Sequence, residues 1–124
     1  MRALILVALL WASVAGAATV TCGSGTLTPT AQAATGGSAN SLNAKGAQSA
    51  LFQAIRTAGT ATVVLEVSCD GTAWAAVSSG SMTVDGTTTT AAVSVLWPTA
   101  CAYRTNITAC SSCSVTVLYA CAGS

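Results

Sequence analysis

The chain has 124 residues, with four Lys or Arg against three Asp or Glu, six Cys and no His. Without His there is no usual general base, which excludes Ser-His-Asp and Cys-His catalysis, and the commonest ligand of catalytic zinc is missing. Setting Arg2 aside with the N-terminal segment, Lys45, Arg56 and Arg104 balance Glu66, Asp70 and Asp85 (three minus three), and so neutral a surface has no electrostatic grip on a nucleic acid or an acidic membrane.

The N-terminus reads as a secretory signal peptide. Arg2 supplies the positive charge, Ala3 to Trp11 the apolar run, and Ser13 to Ala18 the small residues, with an A-x-A pattern at Ala15, Gly16 and Ala17. A bilayer span needs about 20 apolar residues, and this run breaks into Gly, Thr and Ser too early. Lipid attachment at Cys22 is disfavoured because Thr21 and Val20 precede it, not small Ala or Gly. Cleavage is expected after Ala17 or Ala18. Residues 1–18 form the signal peptide and residues 19–124 a single domain of 106 residues (124 minus 18), enough for one core. No stable membrane insertion is expected after cleavage.

Residues 23–49 are rich in Gly, Ser, Thr and Ala, with Pro29 and Gly36-Gly37 as breakers. The periodicity is weak there, predicting a loosely structured arm with one or two edge strands. Ala44 to Ala58 is the only stretch with helix-friendly composition, but Leu51 to Ile55 reads as a strand and is taken as one. From Ala61 to Cys69 alternation is clear, with Ala61, Val63, Leu65, Val67 and Cys69 on one face. Asp70-Gly71 then predicts a tight hairpin turn. The return strand begins at Trp74, which falls where a core-capping ring is expected. A turn at Ser78 to Ser81 leads to a short strand at Met82 to Val84, and Asp85-Gly86 gives a second hairpin signal.

The Thr87 to Thr90 run leads into Ala91 to Trp97, where Ala91, Val93, Val95 and Trp97 share a face that points to the core. Pro98 ends that strand. Two closing strands follow, Cys101 to Thr108 and Ser114 to Cys121, separated by a turn. Short strands at this spacing predict an all-β fold: a disulfide-stapled antiparallel β-sandwich of seven or eight strands, jelly-roll or immunoglobulin-like.

Six cysteines in a small exported chain read as a disulfide framework. Cys110 and Cys113 are adjacent enough to pinch the last turn, and no helix follows to make a redox motif of them. Closing so short a loop contributes about 2 kcal/mol. Cys69 and Cys101 share a buried phase and are expected to pair. Cys22 and Cys121 sit near the two ends of the domain, and joining them would contribute about 4 to 5 kcal/mol. No catalytic, cofactor-binding or metal-binding residue is expected. Asp70 and Asp85 are occupied by their turns, and Glu66 alone cannot make a glycosidase pair. Asn106-Ile107-Thr108 matches a glycosylation sequon and is read as chance.

Phe52, the run Thr60-Ala-Thr-Val-Val-Leu-Glu-Val-Ser-Cys-Asp-Gly-Thr-Ala-Trp74, then Tyr103-Arg-Thr-Asn-Ile-Thr108 and Ser114-Val-Thr-Val117 form a recurrent order. It resembles small β-sandwich modules of tailed-phage virion and tail-associated proteins, related forms of which occur in bacterial surface proteins. The resemblance spans Leu51 to Ala122 and implies a non-catalytic module that decorates, spaces or adheres. Arg104 in it can pair with Glu66 or Asp70. The signal peptide and the cysteines depart from the pattern of a part assembled in the cytoplasm.

The expectation is therefore an extracytoplasmic structural or adhesive module, secreted, periplasmic or at the cell surface, and not an enzyme. Its partner is expected to be a protein: another copy or a surface protein. Val64, Leu96 and Leu118, on nominally outward faces, mark that surface. The alternative is carbohydrate binding, with Trp97 as the candidate for stacking on a sugar ring, although its phase favours burial.

Overall fold

The computed structural model describes residues 18–123. The expected signal peptide lies outside them except for residue 18. The described residues are all-β, with no helix and eight strands: β1 (Ala18–Thr21), β2 (Ser24–Thr26), β3 (Gly36–Gly37), β4 (Asn40–Asn43), β5 (Ser49–Ser68), β6 (Ala75–Val84), β7 (Thr90–Leu96) and β8 (Ala102–Ala122). They form one hydrogen-bonded sheet. It is mixed, not purely antiparallel, because β1 runs parallel to β4.

Two long strands dominate. β5 has 20 residues and β8 has 21, and they pair antiparallel from Ser49↔Ala122 to Ser68↔Ala102. The turn expected between two closing strands does not reverse the chain. β8 passes through it as one strand, irregular where Arg56 to Val63 of β5 meets it. The buried set of β5 changes parity across this stretch, from Ala50, Phe52 and Ala54 to Ala61, Val63 and Leu65. An uninterrupted strand would have sent the second set to the outer face.

The irregular stretch also bends the sheet. Phe52 is aligned with Tyr119 across the pair, and Val67 with Tyr103. A straight strand would separate positions 52 and 67 by about 50 Å at ~3.3 Å per residue. Yet the rings of Phe52 and Tyr103 lie 6.0 Å apart, centroid to centroid. The two ends of the long pair therefore face one another across the core, where Leu65, Ile107, Val115 and Val117 join them.

Both outer edges of the long pair are lined by shorter strands. β6 and β7 follow one another along the same edge of β5, on its C-terminal and N-terminal halves. Asp85-Gly86 is therefore a corner between strands laid end to end, not a hairpin turn. The predicted break at Ser78 to Ser81 is a bulge inside β6: one residue of β5, Leu65, faces Val77 to Gly80. β2, β3 and β4 line the far edge of β8.

The loosely structured arm expected over residues 23–49 is instead integral to the core. Leu27, Leu42 and Ala44 are fully buried. The Leu27 N–H donates to the Val117 carbonyl at 2.8 Å, and the Thr28 hydroxyl accepts the Val117 N–H at 2.9 Å. Single Leu residues among Gly, Ser and Thr produce no periodicity to detect.

Gly59 sets the bend. Its φ is +64°, and a Cβ there would collide with the Ser111 and Ser112 carbonyls. Gly71 also has positive φ (+78°), but the space around its missing Cβ is open. Gly71→Ala should therefore cost only the left-handed penalty of about 1–2 kcal/mol, whereas Gly59→Ala adds a backbone collision to the same penalty. Thermal melts of the two variants check this, with Gly59→Ala expected to be clearly the less stable.

Candidate functional site

Small and β-branched residues alternate along β5, β7 and the end of β8, so one side of this half-sheet fills the core and the other faces out. The outer side has cross-strand rows Ser94–Leu51–Ala120 and Ala92–Gln53–Leu118, with Leu96 next to Ser49. No charged residue lies in 24–26, 49–55, 90–96 or 114–122. Leu51, Leu118 and Ala120 line a shallow apolar groove that runs to Ser24 and Thr26 of β2. Leu51 is 41% exposed, Leu96 73% and Trp97 72%.

The exposure of Trp97 corrects its expected core-facing phase. Ala91, Val93 and Val95 do pack against the core, but φ is +51° at Trp97. That left-handed residue breaks the alternation one step before Pro98 and turns the indole outward. Its backbone N–H still donates to the Gln48 carbonyl at 2.7 Å, which fixes the position. A bulky residue held in this conformation is an outlier of the kind that clusters at functional sites. Val64 is half-buried under the pairing of β5 with β6 and β8 and adds little to the outer surface.

A second cluster lies on the other half of the sheet. Arg104 and Glu66 are register partners, and Nε donates to Oε1 at 2.9 Å. Asn106 Nδ2 donates to the other Glu66 oxygen at 3.0 Å, so both carboxylate oxygens of Glu66 are engaged. The guanidinium stacks 4.3 Å from the Trp74 ring centroid. Trp74 is accordingly a half-buried surface residue and not a core cap. Its removal should cost about 1–2 kcal/mol, the range of a partly desolvated cation–π contact, and not the several kcal/mol of a core aromatic. Gly37 makes room for Arg104, since a Cβ there would lie 2.6 Å from Nη1. The cluster ties β3, β5, β8 and the start of β6 together.

Asp70 and Asp85 both close Asx turns. Asp70 Oδ1 accepts from the N–H of Thr72 and of Ala73, each at 2.8 Å, and from the Ser68 hydroxyl. Asp70-Gly71 thus organises a longer connection from Cys69 to Trp74 in place of a two-residue hairpin. Asp85 Oδ1 accepts from Thr87 and Thr88. Among the described residues, no three His, Cys, Asp or Glu side chains come together.

The six cysteines are joined as Cys22–Cys121, Cys69–Cys101 and Cys110–Cys113. Cys69 is exposed and Cys101 half-buried, while the neighbouring Ser68 lies in the interior. The second bridge therefore ties strand ends together near the surface and does not run between buried faces. The third bridge sits at the bend of β8, opposite Gly59, and pins an irregular segment of a continuous strand. Its neighbour Ser112 has φ +49°.

The backbone donors at Ala73 and Thr72 hold the Asp70 carboxyl below the usual range, with Ser68 adding to them, and those at Thr88 and Thr87 do the same for Asp85. A carboxylate whose folded pKa is depressed stabilises fully above its unfolded pKa, and that contribution drains as pH falls through the folded value. The melting temperature of the oxidised protein should therefore fall below about pH 4. Asp70→Asn with Asp85→Asn keeps both turn acceptors and should flatten that acid limb, which melts between pH 2 and 6 measure.

No family model matches the chain, and no curated protein matches it. Among solved structures it is similar to the crystal structure of PBSX exported protein XepA, with a TM-score of 0.57 at 14% identity. The match covers 82% of this chain and 37% of that one, so the chain spans little more than a third of XepA's length. What the two share is a fold.

Proposed function

We propose that this chain is an exported, non-catalytic module that works outside the cytoplasm as a structural or adhesive unit of phage-related origin. The two halves of its bent sheet serve as the layers of a β-sandwich. Three disulfides with no free cysteine suit an oxidising compartment. The phage-related part of the reading draws on the shared fold with XepA, an exported protein of the phage PBSX.

The observation that carries the proposal is the uncharged outer face with Leu51, Leu96 and Trp97 exposed. Large apolar side chains standing together on a small neutral protein suit contact with a partner surface. Such a face takes hold by apolar and shape complementarity, so salt should weaken it little. The absence of His and the engagement of all three carboxylates in turns or an ion pair support a non-catalytic role.

A second reading, carbohydrate binding, is favoured by one feature. Trp97 stands outward beside Pro98, and a flat, uncharged indole can stack on a sugar ring.

Co-sedimentation of the oxidised protein with intact bacterial cells and with purified insoluble cell-wall polysaccharide tests both. Retention is expected to survive ~1 M salt and to be lost in Trp97→Ala with Leu96→Ser, both of which are largely exposed. Retention on polysaccharide alone would select the carbohydrate reading. Failure to be retained on either material, or full retention of the double variant, would overturn this assignment of the face.

A further inference from the structure

We propose that β7 is a self-pairing edge, through which a second copy of this chain joins the sheet antiparallel about a two-fold axis centred on Val93. The inference rests on the structural-module reading and names its partner.

The hydrogen-bond phase of β7 gives the first argument. Trp97 N–H donates to Gln48 O, and Arg56 N–H donates to Thr89 O, so 48/97 and 56/89 are bonded pairs. In an antiparallel ladder bonded pairs alternate with unbonded ones. With Ala50↔Val95, Phe52↔Val93 and Ala54↔Ala91 in between, the backbone of Ala91, Val93 and Val95 points to β5. That of Thr90, Ala92, Ser94 and Leu96 points away from it. Among the described residues β7 pairs with no strand but β5, so these four residues offer a row of open N–H and C=O groups.

Protection is the second argument. Exposed edges are normally blunted by charge, proline or a bulge. β6, its neighbour along β5, carries the bulge at Val77 to Gly80, with φ +59° at Ser79. β7 (Thr-Ala-Ala-Val-Ser-Val-Leu) has none of the three devices.

The third argument selects a second copy as the occupant. Centred on Val93, the strand is complementary to itself: Ala92 meets Ser94, Thr90 meets Leu96, and Val93 meets its own counterpart. Every open residue then faces another open residue. On the inner side Ala91, Val93 and Val95 are only partly buried against the core, and the same residues of the partner would cover them. On the outer side the exposed Leu96 gains a neighbour. Nothing repels, because Lys45, Arg56 and Arg104 balance the three carboxylates and none lies in β7.

Sedimentation equilibrium of the oxidised full-length exported chain tests this. A monomer–dimer equilibrium with Kd on the order of micromolar is expected. Ala92→Pro removes an N–H that faces the open edge and spares the ladder to β5. Ser94→Lys puts a charge on a solvent-facing edge position. Each should raise Kd on the order of tenfold or more while the melting temperature measured on dilute monomer stays near wild type. Should Ala92→Pro fail to fold, Ser94→Lys decides alone. A wild type that stays monomeric at ~100 µM, or variants that dimerise like wild type, would overturn the pairing. A monomer still retained on cells refutes only this inference. A dimer retained on nothing refutes only the adhesive reading.

Discussion

Everything in this protein hangs on one pairing, the antiparallel ladder between β5 and β8. It runs the full length of both strands, is interrupted only at the bend around Gly59, and supplies the surface on which every other strand except β1 is laid. A straight ladder of this length would have two exposed apolar ends and no core. The bend turns it into two facing halves, and the parity change in β5 keeps both Phe52 and Leu65 on the core side. Gly59, whose missing Cβ lets the Ser111 and Ser112 carbonyls approach, is what the geometry requires at that point.

The disulfides reinforce the same pairing. Cys101 lies just before β8, Cys110 and Cys113 at its bend, and Cys121 near its end. Each bridge fixes β8 to itself or to a different partner: the end of β5, its own irregular turn, and the N-terminal segment. The core is built from Ala, Val and a few larger residues, and small side chains contribute less through burial than Leu or Phe would. Cross-links that restrict the unfolded chain offset that modest core. With the interior and edges of β8 committed, the outer face of β5, β7 and β8 stays exposed and, among the described residues, β7 pairs only with β5.

Alternation made much of this legible from sequence. Ala61, Val63 and Leu65 are buried as their phase implied. What escaped were events that break the period. The irregular stretches at Gly59 and at Cys110 to Cys113 look like strand ends, because a local pattern cannot distinguish a strand that stops from one that bulges and continues. Trp97 carried a core phase until a single left-handed residue reversed it. Asp85-Gly86 has the composition of a hairpin turn, but only pairing partners reveal that β6 and β7 share an edge of β5. Leu27 and Leu42 are isolated apolar residues whose burial comes wholly from tertiary contacts. For the candidate site, the absence of charge was readable, while the open groups of β7 depend on the register.

Native-state amide hydrogen exchange on the oxidised protein tests the central claim most directly. If the bent β5–β8 ladder is one cooperative unit, the ladder amides of Gln53, Leu118, Val64 and Asn106 should exchange only through global opening, with closely similar free energies. Exchange in which the half containing Gln53 and Leu118 opens independently of the half containing Val64 and Asn106 would contradict it.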